Sequence, residues 1–456
     1  MKTDSFIDFL ELFKALQDAL PKERQNIIKG TNKDKTDQFG RTALMYATAN
    51  GYTDIVDLLI KAGANKDKKD NNGKTALMHA AECGHKAGVN SLIKAKADLN
   101  IKDNDGCTAL MHAAKWGGKG IVNSLIKAGA NKDIQDNAGY TALMWAAMNG
   151  KKAVVNSLIK AKADLDIQDK YGHTALMHAA RCDEKSIVDS LIKAGANKDK
   201  KDNDGCTALM LAAMNGYTAI VDSLIKAGAN KDKKDKCGYT ALMLAAMYGH
   251  KGIVDSLIKA GANKNKKDNY GMTVLMYAAG CGYKDIVDLL IKAGANKDIK
   301  DKRGRTALMF AVIKGQKNVV DSLINAGADL NIKDNDGCTA LMWAVVNGRT
   351  DIVNLLINAG ADLNIQDNKG NTALAYAAMN SYKNIEGLLL RKKLENVEHK
   401  LSEAEQQIAE LESKNTALTQ QADKNKEQKV LSDFLVKKRE ERLLRAIRLG
   451  LVRGCK

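Results

Sequence analysis

A 33-residue period, held without insertion or deletion, constrains this chain more than any other feature. Aligned on Gly-x-Thr-Ala-Leu-Met, the threonines fall at Thr42, Thr75, Thr108, Thr141, Thr174, Thr207, Thr240, Thr273, Thr306, Thr339 and Thr372. An aspartate precedes each by five residues, from Asp37 to Asp367, and a glycine by two, from Gly40 to Gly370. The nonapeptide DNDGCTALM recurs at 103–111, 202–210 and 334–342, always a whole number of periods apart. A fixed period of this length specifies one supersecondary unit stacked on copies of itself.

Each unit reads physically in the same order. Asp-x-x-Gly supplies a turn, with the glycine free to take positive φ. The threonine suits an N-cap, and Ala-Leu-Met-x-Ala-Ala starts a short helix with a small-residue face. A glycine such as Gly51 or Gly84 breaks that helix. In Asp54-Ile55-Val56-Asp57-Leu58-Leu59-Ile60 the apolar residues recur at i, i+3 and i+4, which predicts an amphipathic second helix. Gly63 then stands at the C′ position. One unit buries only a few Leu, Ile and Val side chains, at roughly 1.5–3 kcal/mol each. Backbone ordering costs about 1 kcal/mol or more per residue, so isolated units do not fold and stacking supplies the missing burial.

Over about residues 37–389 this pattern is similar to the ankyrin repeat, whose units run turn, T-P-L-H helix, second helix and G-A loop. The resemblance implies an all-α solenoid of eleven helix-turn-helix units joined by hairpin loops. Two departures are systematic. Alanine (valine at Val274) stands where the family has proline, and methionine (Ala375 in the last unit) stands where it has histidine. That histidine joins a hydrogen-bond network in the family, so apolar packing by methionine is expected to substitute. Residues 1–36 read as a helical N-terminal cap, with Phe6, Phe9, Leu10, Phe13 and Leu16 covering the exposed end and Pro21 dividing two helices.

Composition excludes several classes. The opening MKTDSFIDFLELF carries Asp4, Asp8 and Glu11 among its apolar residues, which is not the pattern of a secretory signal. No run of about 18 apolar residues occurs. The eight cysteines form no CxxC pair, which fits free thiols in a reducing cytoplasm. The net charge of +17 is spread along the repeats, with a denser block only near the C-terminus.

Function is expected where the units differ. All twelve tyrosines and three tryptophans lie in the array. Tyr140, Tyr171, Tyr239 and Tyr270, with Phe39, sit near the turns, and Trp116 and Tyr248 near the ends of first helices. Tyr46, Trp145, Tyr277, Phe310, Trp343 and Tyr376 follow the methionine position, where half-buried packing between repeats is the stronger reading. In the family, turn tips and first helices line a concave face that grips a partner. Aromatic side chains there provide large contact area at low entropy cost, so Phe39, Tyr140, Tyr171, Tyr239, Tyr270, Trp116, Trp145 and Tyr248 are the candidate protein-binding residues. His79, His112 and His178 share one column, but repeats about 10 Å apart cannot share a ligand sphere near 2 Å. No metal, cofactor or catalytic site is expected. Lysine pairs such as Lys198/Lys200, Lys231/Lys233 and Lys264/Lys266 form a run, read as a solvated edge neutralised by intervening aspartates.

Near 390 the period changes to seven. Leu394, Leu401, Ile408 and Asn415 fill a positions, and Val397, Ala404, Leu411 and Leu418 fill d positions. This predicts a coiled coil over 390–422 that pairs two chains in parallel, with Asn415 fixing register. A polar link and a basic amphipathic helix are expected over 423–456, capped by Ser432 and stopped by Gly450, with Val436, Leu443, Leu444, Ile447 and Leu451 on one face. The expected whole is a cytoplasmic, non-enzymatic scaffold that binds proteins and homodimerises; nucleic acid is not an expected partner. The alternative is association with a membrane surface, polyanion or cytoskeleton through the lysine-rich loops and residues 432–453.

Overall fold

The computed structural model describes residues 32–448, together with 14, 15, 18, 19 and 23. Most of the expected N-terminal cap, and the residues from 449 onward, lie outside the described residues. Among the described residues there are 22 α-helices and no strand, the first Ala43–Ala49 and the last Lys383–Arg448. They form eleven pairs, with first helices stacked on first helices and second on second. The product is an extended solenoid whose core runs along its length.

The turn residues do what their chemistry dictates. Asp37 Oδ1 accepts the N–H groups of Phe39 and Arg41, and Gly40 closes the turn at φ +75°. Thr42 caps the first helix through Met45 N–H, at 3.3 Å. The methionine is more than an apolar filler. In repeats one, two, three, five and eight its sulfur accepts the N–H of the capping threonine, at 3.4 Å for Thr75 and Met78. A polarizable acceptor thus takes a polar role at the place of the family's histidine, which corrects the purely apolar expectation.

In the second helix Ile55, Val56 and Leu59 are each at most 2% exposed. Gly63 ends it at φ +84°, with Ala64 N–H reaching back to Leu59 O. Repeats are joined by a ladder in which side-chain oxygens accept backbone N–H groups. Asp34, Asp67, Asn100 and their counterparts each accept the N–H of the residue 31 positions on, at 2.8–2.9 Å for these three. Asn71 likewise bonds Phe39 O and Gln38 O in the preceding turn. The lysine run serves this ladder too: Lys200 Nζ donates to Asp166 O and Lys266 Nζ to Asp232 O in the preceding repeat.

The last helix runs unbroken for 66 residues, about 100 Å at 1.5 Å per residue. Ile385 and Leu389 are buried against the array, and Lys393, Val397 and Lys400 still line a cleft with Asp362 and Asn364 before the helix runs clear of it. Lys393 replaces the terminating glycine found at Gly360. The polar link expected near 421–430 is not a break. QADKNKEQKV holds neither glycine nor proline, and Ala, Gln, Lys and Glu are good helix formers. Ser432 does not cap; it lies inside the helix with Oγ bonded to Lys429 O, at 2.8 Å.

Candidate functional site

The aromatic residues divide according to which side of the turn glycine they occupy. Phe39, Tyr171 and Tyr270 precede it and are 52%, 63% and 61% exposed. Tyr140 and Tyr239 follow it, and the backbone reversal at positive φ points them inward instead. Tyr140 packs 5.2 Å from both the Trp145 and His178 rings, and Tyr239 lies 5.7 Å from Tyr277. Both are half-buried against the core. Their expected place at an exposed tip is therefore corrected. Trp116 and Tyr248 are well exposed.

The column after the methionine has a common chemistry. Where the residue carries a donor it bonds the outer oxygen of its own turn aspartate: Trp145 Nε1 to Asp136 at 2.9 Å, Trp343 Nε1 to Asp334 at 2.8 Å, Tyr376 Oη to Asp367 at 2.6 Å. His79, His112 and His178 pair with Asp70, Asp103 and Asp169 in the same way, each at 2.9 Å. The histidine column thus meets its own aspartates rather than one another. The Tyr376 hydroxyl holds the Asp367 carboxyl down to about 2. Burial pushes the His79 and His178 imidazoles down, outweighing the pull of the adjacent carboxylate. Neutral rings donating Nε2–H to an acceptor-only carboxylate fit that balance. Leu211, Leu244 and Phe310 break the column; Arg305 serves Asp301 in place of Phe310, while Asp202 and Asp235 have no such donor from their own repeats. Burial consequently raises the Asp235 carboxyl.

Across repeats two to five these columns enclose an open groove of about 580 Å³, lined among others by Cys107, His112, Lys115, Tyr140, Trp145 and Tyr171. Lys115 Nζ stands 4.7 Å from the Trp145 ring centroid and 5.9 Å from that of Trp116. The groove offers aromatic faces, one clamped ammonium and a rim carboxylate, Glu82, paired with Lys74 at 2.7 Å. Burial pushes the Cys107 thiol up to about 12. It is therefore a poor nucleophile, and the groove is suited to binding. Sequence reasoning passed over His173, which sits beside His178 in the next wall. The spacing Asp169-x3-His173-x4-His178 was its available signal.

The sequence profile of ankyrin repeats (three copies) matches residues 15–103, 88–169, 143–235, 209–301, 293–367 and 334–401. No protein in the curated set matches the chain. Among solved structures, one similar in part is the ankyrin repeat domain of Bcl-3, titled a unique member of the IkappaB protein family. It is 29% identical, covering 48% of this chain and 99% of that one, with a TM-score of 0.45. With profile matches running from residue 15 to 401, the chain belongs to the ankyrin-repeat family.

Proposed function

We propose that this chain is a cytoplasmic, non-enzymatic adaptor that grips partner proteins on the face formed by its turns and first helices. Ankyrin repeats are in general protein-interaction modules, and the observation that carries the reading here is the aromatic groove with its exposed flanking rings. Large rigid side chains at Phe39, Trp116, Tyr171, Tyr248 and Tyr270 supply contact area that costs little rotamer entropy on binding. The terminal helix pairs two copies. Leu394, Val397, Leu401, Ile408, Leu411 and Leu418 are each 55–67% exposed along it, a stripe of a/d spacing that water does not favour. Asn415 sits within the same seam and sets its register. Two joined arms raise apparent affinity for a multivalent target through effective concentration.

The test is comparative capture from a native extract with three baits: the intact chain, the five exposed aromatics changed to alanine, and a chain ending at residue 389. Partners held by the first and lost by the second support recognition on the aromatic face. A partner set unchanged by the alanines overturns it.

A second reading has its own observation. Val430, Leu431, Phe434 and Leu435 are exposed, next to Lys437, Lys438, Arg439, Arg442, Arg445 and Arg448 on the same helix. That combination suits an anionic membrane surface. Sedimentation with phosphatidylserine vesicles, weakened steeply by salt, would support it; equal binding to neutral vesicles would refute it.

A further inference from the structure

Among the described residues, one set of histidine and carboxylate ligand atoms converges: Asp169, His173 and His178, all within 4.8 Å of one another. We propose that these three residues form a binding site for a divalent transition-metal ion of the Zn²⁺ class, at the end of the aromatic groove. Two imidazoles and one carboxylate are the ligand types such ions take, with a fourth position left for water or a partner's side chain.

The geometry supports this in three ways. His178 Nε2 lies 2.9 Å and His173 Nδ1 3.7 Å from Asp169 Oδ2. These values straddle the edge of about 3.3 Å expected for a tetrahedron with bonds near 2.0–2.1 Å. The opposite nitrogen of His173, Nε2, lies 3.3 Å from Asp202 Oδ2, whose side chain is 4% exposed. A buried carboxylate on the second imidazole nitrogen is what orients a metal-ligating histidine. Asp202 is free for that task because Leu211 stands where other repeats place a donor to the turn aspartate. All four residues and the Leu211 substitution therefore fall into one consistent arrangement.

Neighbouring repeats act as internal controls. Repeat two has Asp70 and His79, but Lys74 at the His173 position. Repeat three has Asp103 and His112 with Cys107 there, and that thiol turns to Asp136 of the next repeat, at 3.7 Å. Neither gathers three ligand atoms. The competing role for His173 is a hydrogen-bonded bridge between Asp169 and Asp202.

The experiment titrates the reduced, full-length chain with Zn²⁺ in competition with a chromogenic chelator. His173→Arg and His178→Leu are the variants, because the array already uses arginine at Arg41 and Arg305 and leucine at Leu211 and Leu244 in those columns. One Zn²⁺ per chain is expected, weakened more than about 100-fold in either variant and roughly 10–100-fold by Asp202→Asn. Equal Zn²⁺ binding by wild type and His173→Arg would overturn the site and leave the bridge. Co²⁺ titration of wild type alone provides a check independent of variant folding. Intense four-coordinate visible bands are expected, and their absence refutes the proposal.

Discussion

The stripe on the terminal helix makes a quantitative prediction. Ile408 is 55% and Leu411 64% exposed, so roughly 60% of each side chain remains to be buried by a partner. At about 1.5–3 kcal/mol for full burial, each contributes about 1–2 kcal/mol to pairing. Changing both to aspartate removes four such side chains from a two-fold dimer, about 4–7 kcal/mol. At 1.4 kcal/mol per decade the dissociation constant rises by roughly three to five orders of magnitude, before any repulsion between the new charges. Sedimentation velocity at micromolar concentration reads this directly. Wild type is expected at twice the chain mass, and the Ile408→Asp/Leu411→Asp variant at the chain mass. A monomeric wild type, or a variant that stays dimeric, would refute the seam. The array should keep its helical circular dichroism in both, because neither residue touches it.

Three further predictions follow from single columns. Lys96 and Lys162 take φ +59° where other repeats have glycine, a left-handed conformation that costs about 1–2 kcal/mol for a side-chain-bearing residue. Against the entropy of a more flexible unfolded chain, Lys96→Gly and Lys162→Gly should each stabilise by about 0.5–1 kcal/mol in urea melts; a loss of stability would contradict the conformational argument. Burial holds the His79 imidazole below its ordinary value, so the unfolded chain takes up the proton first. Its contribution is constant above about pH 6.5 and is lost as pH falls from there toward the folded value. Thermal melts between pH 7.5 and 5.5, in chelator, should therefore slope more steeply for wild type than for His79→Tyr, and equal slopes would remove histidine as the cause. Leu244→Tyr should supply Asp235 with the donor that Tyr376 gives Asp367, at a gain of about 1 kcal/mol at neutral pH. That gain should disappear as the carboxyl protonates in acid, and an unchanged Asp235 titration by NMR would count against it.

What the sequence made legible was whatever one residue type alone can do. Glycine at Gly40 and Gly63 was readable because positive φ excludes most other residues, and the Ile-Val-x-x-Leu spacing because only one helix face can be buried. What stayed hidden depended on direction. Tyr140 and Tyr171 occupy nearly the same place in the period, yet one glycine between those columns turns one inward and the other out. The methionine sulfurs and the Asp34–Asp67–Asn100 ladder were equally silent, since a column names equivalent positions without saying which atom meets which. The terminal helix went the other way: the polar stretch at 421–430 suggested a break, but polarity without glycine or proline does not unwind a helix. In an array this regular, a lone departure from a column is weak evidence of function, because any surface position drifts. Side chains from adjacent repeats that meet in space are stronger. His173 is the one histidine in a column that varies from repeat to repeat, Leu211 removes the donor that most repeats place beside the turn aspartate, and Asp202 consequently faces an imidazole instead of its own repeat. It is the coincidence of the two in adjacent repeats, and not either residue alone, that places a buried carboxylate behind the second nitrogen of His173.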